Sequence, residues 1–261
     1  MAEVVVTRTA DEASRLAADH VARAIAVRPR LVLGVATGST PELFYRHLAR
    51  RLTAEGTDTS GVRAFALDEY VGLPADHPES YAAVIERTVT VPLGLDPAHV
   101  HVPDGGAADP FAAAEAYDRA ITAVGGVDIQ ILGIGRNGHI GFNEPGSSLG
   151  SRTRVKTLAA STRDANARFF ADPRDVPVHC ITQGIGTIRE ARHLILLAFG
   201  ADKSAALAGA VEGPVSASLP GSAIQLHPHV TVLADEDAAR ELTQAEAYRE
   251  AWALKPSAQS F

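Results

Sequence analysis

Short apolar runs alternate along the chain with longer segments in which apolar residues recur at helical spacing. The short runs predict strands at Val4–Val6, Leu31–Val35, Arg63–Leu67, Val127–Leu132, His193–Phe199 and Val230–Ala234. The longer segments predict helices over about Ala10–Val27, Pro41–Leu52, Lys203–Val211 and Glu236–Ala253. Because strands that alternate with helices form βαβ units, the pattern predicts an α/β fold. Its sheet should be open, mostly parallel and Rossmann-like, with helices on both faces.

The chain shows no internal repeat and no low-complexity linker. Proline and glycine cluster at Leu73–Pro78 and Pro92–Asp109, which is typical of loops within a domain. We therefore predict a single domain over residues 1–261. Only the tail, Lys255–Phe261, is expected to be flexible.

Charge and composition narrow the classes of function. The formal net charge is −7, and the absence of a Lys/Arg-rich run argues against a nucleic-acid partner. The single cysteine, Cys180, excludes an internal disulfide and a thiolate zinc cluster. The N-terminus lacks the order of a signal peptide, and no apolar run approaches the roughly 18 residues of a transmembrane helix. We expect a soluble, cytoplasmic protein that does not associate with membranes.

Three chemically rich stretches follow predicted strands: Ala36–Pro41, Asp68–Tyr70 and Gly133–Glu144. Ligands of open parallel sheets bind beyond the carboxyl ends of the strands. The three stretches are far apart in sequence, but a parallel sheet allows them to share one crevice.

Residues 133–138 read G-x-G-x-x-G and follow a strand, as a dinucleotide-binding fingerprint does. That fingerprint also needs a helix at the third glycine and an acidic residue about 20 positions later. Here Gly141–Gly146 is rich in glycine and proline and predicts a loop, and the later segment, Arg152–Lys156, is basic. Such bases would suit only a 2′-phosphate, so a nicotinamide cofactor is disfavoured.

A phosphate-binding element is a candidate at "ATGSTPEL", residues 36–43. Gly38 allows the backbone to approach a ligand, and Ser39 or Thr40 can cap the following helix, with a capping box from Ser39 to Glu42. The free N–H groups of a helix start favour an anion. A well-capped helix without a ligand explains the same stretch equally well.

Two basic residues are candidates for the same anion. Lys203 lies at the start of a predicted helix, where a cation opposes the helix dipole unless an anion is nearby. Arg168 carries a guanidinium that can fork onto phosphate oxygens. Solvated surface positions remain the alternative for both.

Proton-transfer chemistry is indicated at two of the strand ends. Asp68 and Glu69 follow a hydrophobic strand, where partial desolvation raises the pKa of a carboxyl group toward that of a useful base; a turn acid or helix cap is the alternative. His139 has no partner at metal-ligand spacing, so a metal site is not expected. Surrounded by glycines, it is a candidate acid or base, with Glu144 holding its tautomer.

Nearly the whole chain resembles the glucosamine-6-phosphate deaminases. The resemblance runs from "LVLGVATGSTP" through "LDEYVGLPADHPESY" and "GIGRNGHIGFNEPGSSLGSRTRVKTL" to "VEGPVSASLPGSAIQLHPHVTVLAD". The 6-phosphogluconolactonases, which share the superfamily fold, carry a "SLFPG"-like continuation after Gly-His, whereas this chain has "FNEPGSS".

The resemblance implies an enzyme of amino sugar metabolism that converts glucosamine 6-phosphate and water to fructose 6-phosphate and ammonia, with no metal and no organic cofactor. It implies that Asp68 moves a proton between C2 and C1 of the opened sugar through an enolamine. His139 would open the pyranose ring, with Glu144 as its partner. The implied phosphate site consists of Thr37, Gly38, Ser39, Thr40, Arg168 and Lys203.

One position departs from the family pattern. An aspartate often precedes the Gly-His pair and completes an Asp-His-Glu relay, whereas this chain has Asn137, which cannot accept a proton. Either Glu144 alone tunes His139, or ring opening is slower. Some relatives are hexamers activated by N-acetylglucosamine 6-phosphate, so a homo-oligomer is one expectation. Residues that match the activator site are Ser148, Arg154 and Lys156, for which a surface or interface role is the alternative.

Two other functions remain alternatives at this point. A lactone hydrolase of the same fold would act on 6-phosphogluconolactone. A non-catalytic sugar-phosphate sensor would bind without turnover, although a sensor has no need of both Asp68 and His139.

Overall fold

The computed structural model describes residues 3–74 and 76–256. Residues 257–261 of the predicted flexible tail lie outside the described residues. Lys255, the first residue of that tail, is tied down: its Nζ lies 2.5 Å from Glu3 Oε1 and 5.2 Å from the centroid of the Trp252 ring.

The strands and helices alternate along much of the chain, except that two strands, Asp68–Tyr70 and Arg154–Thr157, each follow another strand with no helix between them. The strands are β1 (Glu3–Thr7), β2 (Val32–Val35), β3 (Arg63–Ala66), β4 (Asp68–Tyr70), β5 (Val100–His101), β6 (Ile129–Gly133), β7 (Arg154–Thr157), β8 (His179–Thr182), β9 (His193–Ala198) and β10 (Val230–Asp235). The α-helices are α1 (Ala10–Val27), α2 (Ser39–Glu55), α3 (Tyr81–Ile85), α4 (Val91–Leu93), α5 (Pro110–Ala123), α6 (Ala160–Asn166), α7 (Ile185–Arg189), α8 (Ser204–Val211), α9 (Glu236–Ala239) and α10 (Ala245–Ala253). A π-helical turn joins α3 to α4, at Glu86–Thr90. Short 3₁₀ turns lie at Pro97–His99, Ala167–Phe169, Pro173–Asp175, Ala201–Lys203 and Pro220–Leu226.

Within the described residues, the main sheet has seven strands in the order β1-β10-β9-β6-β2-β3-β5. All of its neighbouring strands are parallel, which confirms the predicted open parallel sheet. A second sheet, antiparallel and in the order β4-β8-β7, is not predicted by the sequence pattern. Its strands are only three or four residues long, too short to show a clear period.

Alternate side chains of the main strands enter two hydrophobic cores. In β9, Ile195 and Leu197 pack with α1 and α2 on one face of the sheet. Leu194 and Leu196 pack with α5 and α8 on the other. This alternation explains the continuous apolar runs in the sequence, and it confirms helices on both faces.

Leu67 joins the two sheets. Its N–H donates to the Val35 carbonyl in the main sheet at 3.0 Å, and its carbonyl accepts from the Gln183 N–H, just after β8, at 2.7 Å. The Gln183 side chain also donates to the Ala66 carbonyl at 2.9 Å. The chain therefore leaves the parallel sheet at Leu67, and Asp68 begins the antiparallel one.

Two predicted segments differ from the structure. Within the predicted loop Pro92–Asp109, β5 pairs with the end of β3, through Ala64 and Val100. The predicted final helix is two helices, because the chain turns between α9 and α10. There the Glu212 carboxylate accepts from the N–H groups of Thr243 and Gln244, at 2.8 and 3.0 Å, and so satisfies the start of α10.

A stack of histidines lies at the amino-terminal edge of the main sheet. The rings of His193 and His229 are parallel, with centroids 3.7 Å apart, and His193 Nε2 lies 3.0 Å from Thr231 Oγ1. Burial, together with the neighbouring histidines, lowers the pKa of His193 to about 3. The stack is therefore neutral at physiological pH.

Among the helices of the described residues, none combines the length and the apolar character needed to cross a membrane.

Tyr117→Phe is expected to lower the free energy of unfolding by about 1–2 kcal/mol. The buried Tyr117 hydroxyl donates to the carbonyls of Ala66 and His101, at 2.8 and 3.0 Å, and so ties α5 to the ends of β3 and β5. Urea unfolding measures the change. The control is Tyr248→Phe, a more exposed tyrosine, and an equal loss in both variants would contradict this assignment.

Candidate active site

The chemically rich stretches converge at one edge of the main sheet. Strands β9, β6, β2 and β3 are consecutive neighbours, and all four run in the same direction. The segments beyond their carboxyl ends are, in the same order, Gly200–Lys203, the loop 134–153, Ala36–Gly38 and Asp68. The crevice expected from the sequence is therefore formed by adjacent strands.

Glycines shape the start of the loop 134–153. The Gly135 N–H donates to the His139 carbonyl, and the Gly138 N–H donates to the Gly135 carbonyl, both at 2.9 Å. The His139 ring lies directly against Gly135, where a Cβ atom would come within 2.3–2.5 Å of three ring atoms. The glycine pattern thus serves the histidine, and the stretch forms a loop and not a dinucleotide-binding helix.

His139 and Glu144 form an ion-pair contact, with 3.6 Å between Nδ1 and Oε2. The Glu144 carboxylate also accepts from Asn137 Nδ2 at 2.8 Å and from the Thr162 hydroxyl. Burial acts to raise the pKa of Glu144, but the contact with His139 and the hydrogen bonds from Thr162 and Asn137 outweigh it and hold the pKa at about 2. Glu144 is therefore a fixed negative charge beside the imidazole.

Asn137, which stands where the family often has an aspartate, bridges the Glu144 carboxylate and the His139 backbone. Its Nδ2 donates to Glu144, and its Oδ1 accepts from the His139 backbone N–H at 3.2 Å. A carboxylate at this position could not donate to Glu144 while ionised. The amide therefore orients the pair without competing for its proton.

Asp68 is buried, with a relative exposure of 5 %. Burial and the adjacent Glu69 charge raise the pKa of Asp68 to about 8, against hydrogen bonds from the Phe142 N–H and from Thr182 that lower it. This is the direction expected for a desolvated carboxyl group at a strand end. Asp68 Oδ2 also lies close to the loop 134–153, only 3.2 Å from the position of a Cβ atom on Gly141.

Glu69 has a structural role, which separates it from Asp68. Its carboxylate accepts from the N–H groups of Tyr70, Tyr81 and Ala82 at 2.7, 2.9 and 2.8 Å. Glu69 thereby caps the start of α3. The cap alternative is thus realised by Glu69, and the role of Asp68 as a base stays a prediction.

The aromatic rings of Tyr70, Tyr81 and Phe142 pack against one another near Asp68. The Tyr81 ring is stacked on Phe142 with centroids 5.6 Å apart, and its centroid lies 4.9 Å from that of Tyr70. Burial raises the pKa of Tyr81, the Tyr70 and Asp68 charges raise it further, and a hydrogen bond with Thr37 opposes them. Tyr81 is therefore coupled electrostatically to Asp68 and interacts with Thr37.

The start of α2 differs from the predicted capping box. Gly38, with φ of 106°, is the N-cap, and no side-chain hydrogen bond caps the helix, so the box from Ser39 to Glu42 is wrong. The backbone conformation at Gly38 is one that residues with a Cβ rarely adopt. Without a side-chain cap, the first N–H groups of α2 are left to bind a ligand or solvent.

Lys203 ends the 3₁₀ turn that precedes α8, so it lies just before this helix. Its Nζ is 3.6 Å from Asp202 Oδ2, which also accepts from Arg136 Nε at 2.8 Å. This contact ties the Lys203 segment to the loop that carries His139. Arg168 is exposed on the turn after α6, and its guanidinium lies 4.7 Å from the centroid of the Phe169 ring.

Across residues 3–74 and 76–256, no group of three or more His, Cys, Asp or Glu side chains is arranged to hold a metal ion.

Known proteins resemble the chain over most of its length. Residues 6–233 match the family model described as glucosamine-6-phosphate isomerases/6-phosphogluconolactonase. The chain belongs to this family. A glucosamine-6-phosphate deaminase of Cutibacterium acnes is 60% identical over 248 residues, 95% of each chain. One of Bifidobacterium longum is 56% identical over 269 aligned positions, 98% of each chain.

Solved structures of the family agree with the fold. A structure described as a monomeric glucosamine-6-phosphate deaminase has a TM-score of 0.89 and 42% identity, covering 92% of this chain and 99% of its own. A 6-phosphogluconolactonase from Trypanosoma cruzi has a TM-score of 0.73 at 22% identity, covering 93% of this chain and 97% of its own. The second similarity extends to the fold alone.

Ser148, Arg154 and Lys156, which the sequence suggests for an activator site, form no hydrogen bond or ion pair with His139 or Glu144 among the described residues. Ser148 is exposed, and its Oγ accepts from the Gly150 N–H at 3.4 Å. Arg154 and Lys156 are on β7, the outer strand of the antiparallel sheet. Residues two apart on a strand share one face, so the two cations point the same way.

Several residues of the site are missed by sequence reasoning. Thr162 and Tyr81 lie in stretches with no catalytic pattern of their own, and only tertiary contacts bring them to Glu144 and Thr37. The sequence could have marked Arg136 as a site residue, because it lies within the glycine-rich loop that carries His139. Its partner, Asp202, precedes Lys203 and could have been paired with it by charge.

Asp68→Asn is expected to have a higher free energy of unfolding than the wild type, and this difference should grow as the pH rises from about 4 to about 8. Folding raises the pKa of Asp68 from 3.8 to about 8. In that window the folded state holds a proton that the unfolded state has lost, so the wild type loses stability as the pH rises. Each pKa unit corresponds to about 1.4 kcal/mol, which makes the full difference on the order of 5 kcal/mol. Urea unfolding from pH 4 to pH 9 measures it.

Asp118→Asn is the matched control with the opposite sign. Burial acts to raise the pKa of Asp118, but hydrogen bonds from Arg152 and two threonines outweigh it and lower the pKa. Its stabilisation is present above the ordinary aspartate pKa and is lost in acid, so this variant is destabilised at neutral pH. A pH-independent effect of Asp68→Asn would contradict the buried-base assignment.

Proposed function

We propose that this protein converts glucosamine 6-phosphate and water to fructose 6-phosphate and ammonia. The observation that carries the proposal is the arrangement of a buried carboxyl group, Asp68, beside the loop that holds the His139–Glu144 pair. Relatives with 56–60% identity to this chain bear the name of this deaminase, and they match it over nearly their full length. The reaction is an aldose–ketose isomerisation coupled to loss of the amino group.

Ring opening is assigned to His139. A neutral imidazole accepts the proton of the C1 hydroxyl and returns a proton to the ring oxygen, so that the pyranose opens to an aldehyde. Glu144 remains ionised and stabilises the imidazolium that forms between these transfers. Asn137 keeps Glu144 and the His139 backbone in register.

Isomerisation is assigned to Asp68. Its carboxylate removes the proton from C2 of the open amino sugar, giving an enolamine, and the proton is returned at C1. The C2 iminium that results adds water and expels ammonia, which leaves the ketone of fructose 6-phosphate. Such a base needs a pKa near the operating pH, as the pKa of about 8 at Asp68 provides.

The phosphate is assigned to the start of α2, which lies beside the catalytic residues on the neighbouring strand. Thr37, Gly38, Ser39 and Thr40 supply N–H and hydroxyl donors at an N-terminus without a side-chain cap. Lys203, and Arg168 on its separate turn, supply positive charge.

The alternatives explain fewer of these contacts. A lactone hydrolase needs neither a base at C2 nor the Glu144 carboxylate that this chain holds with three partners. A sensor gains nothing from a catalytic base that opposes folding, as the ionised Asp68 does. The phosphorylated substrate does not cross membranes freely, so we place the reaction in the cytoplasm.

We also propose that the protein assembles into a homo-oligomer and responds to an anionic activator. A homo-oligomer would bring Ser148, Arg154 and Lys156 to an interface, where an anionic activator would meet the cations on β7. Ammonia assays with and without N-acetylglucosamine 6-phosphate, together with sedimentation of the protein, test this arrangement. An unchanged rate from a monomer would contradict it.

Incubation with glucosamine 6-phosphate is expected to release ammonia and fructose 6-phosphate in equal amounts. A coupled assay for each product measures the ratio. The same preparation with 6-phosphogluconolactone should show no hydrolysis above the spontaneous rate. Absence of ammonia, or binding of the sugar phosphate without turnover, would contradict the proposal.

The pH dependence of kcat/KM is expected to follow the ionisation of Asp68. Only the carboxylate accepts a proton, so the rate should rise about tenfold per pH unit below pH 8 and level off above it. Asp68→Asn should lower kcat by about a hundredfold to ten-thousandfold and keep KM nearly unchanged. Asp118→Asn, whose hydrogen bonds go to Arg152, Thr153 and Thr187 and to none of the residues assigned to catalysis, should keep the wild-type profile. An active Asp68→Asn enzyme would refute the role.

A further inference from the structure

Thr182 lies between the proposed base and the loop that carries His139. It is the last residue of β8 and is fully buried, with a relative exposure of 0 %. In the antiparallel sheet it pairs with Asp68 of β4 on one side and with Arg154 of β7 on the other. Its backbone is therefore fixed by both neighbours.

The Thr182 hydroxyl group is held by the loop. The Phe142 N–H donates to Thr182 Oγ1 at 3.2 Å, so the hydroxyl hydrogen is free to be donated elsewhere. One acceptor is the Gln183 carbonyl, at 3.3 Å. The Asp68 carboxylate is a second group within the same region, because Asp68 is directly paired with Thr182 across the strands, and a Cβ atom on Gly141 would lie 3.1 Å from Thr182 Oγ1 and 3.2 Å from Asp68 Oδ2.

We propose that Thr182 is a positioning residue for Asp68, which aims the carboxylate at the substrate and couples it to the loop that carries His139 and Glu144. This inference rests on the proposed function and deepens it. Thr182 touches no reacting atom; it acts through the orientation and charge of Asp68.

The hydroxyl responds to the charge on Asp68. An ionised carboxylate is a stronger acceptor than a peptide carbonyl, so the hydrogen turns to Asp68 when that group is charged and to Gln183 when it is neutral. The hydrogen bond from Thr182 lowers the pKa of Asp68, against the burial that raises it. Thr182 therefore keeps the pKa of the base from rising beyond the range in which it can work.

The other groups that couple electrically to Asp68 do not duplicate this effect. They are Glu69, Tyr70, Tyr81, Tyr117 and Cys180. Burial raises the pKa values of the three tyrosines and the thiol, so these four are neutral in the working range. Glu69 is negative and acts in the opposite direction.

Thr182→Val and Thr182→Ser, measured for kcat and KM from pH 6 to pH 10, test the proposal. Valine keeps the shape and removes the hydroxyl, so the acid limb of kcat/KM should move upward by about one pH unit, a tenfold loss at pH 7 that shrinks above pH 9. KM should change little. Serine keeps the hydroxyl and should restore the wild-type profile.

Thr187→Val is the matched control. Thr187 is also buried and donates its hydroxyl to a carboxylate, Asp118, at 2.8 Å. This control loses the same kind of hydrogen bond away from Asp68, so it should keep the wild-type pH profile. A Thr182→Val profile that superimposes on the wild type, or a Thr182→Ser profile shifted as far as that of valine, would overturn the proposal.

A second measurement does not depend on turnover. The free energy of unfolding falls with rising pH as Asp68 ionises. In Thr182→Val this fall should extend to higher pH, and in the double variant with Asp68→Asn it should disappear. If the valine variant does not fold, Thr182→Ala replaces it in both measurements. A wild-type protein that releases no ammonia would overturn the proposed function but not the Thr182–Asp68 contact. That contact would be overturned by an unfolding profile of Thr182→Val that shows no shift.

Discussion

The whole site depends on how one residue divides its backbone hydrogen bonds. Leu67 donates to β2 of the parallel sheet and accepts from Gln183, which follows β8 of the antiparallel sheet. Because both groups are satisfied in different sheets, the chain must turn out of the parallel sheet at this point. Asp68 thereby lies at the same edge of the sheet as the segments that follow β2 and β6, which are Ala36–Gly38 and the loop 134–153. A continuous β3 would have kept Asp68 in the parallel sheet.

The sequence predicts most strands and several helices of the main sheet, which follow a periodic apolar pattern. It does not predict the small antiparallel sheet or the single side-chain contacts of the site. Apolar runs identify the main strands because both faces of the sheet are covered, and α1 is found over Ala10–Val27 as predicted. The three-stranded sheet has no such signal, and its short strands are joined by contacts between residues far apart in the sequence, such as Leu67 and Gln183. In the site, the glycine spacing around His139 is informative because Gly135 has to admit the ring. Thr162 and Thr182 carry no comparable mark, since a threonine gains its role only from the carboxylate that folding brings to it.

Three carboxyl groups near the site receive different properties from the donors around them. Glu69 meets three backbone N–H groups and becomes a cap. Glu144 meets Asn137, Thr162 and His139, which hold its pKa near 2. Asp68 has fewer donors in a similarly buried position, and its pKa rises to about 8. Asparagine at position 137 fits this division of roles, because an amide adds a donor to Glu144 where an aspartate would add a competing charge.

The two edges of the main sheet respond to protons in opposite directions. At the amino-terminal edge, the low pKa of His193 means that stability is lost as the pH falls below the ordinary histidine range. At the carboxyl edge, stability is lost as the pH rises toward the pKa of Asp68. These two contributions oppose each other in mildly acidic solution, and only the second remains above it. Under the proposed function, the ionised form of Asp68 that accepts a proton is also the form that burial disfavours.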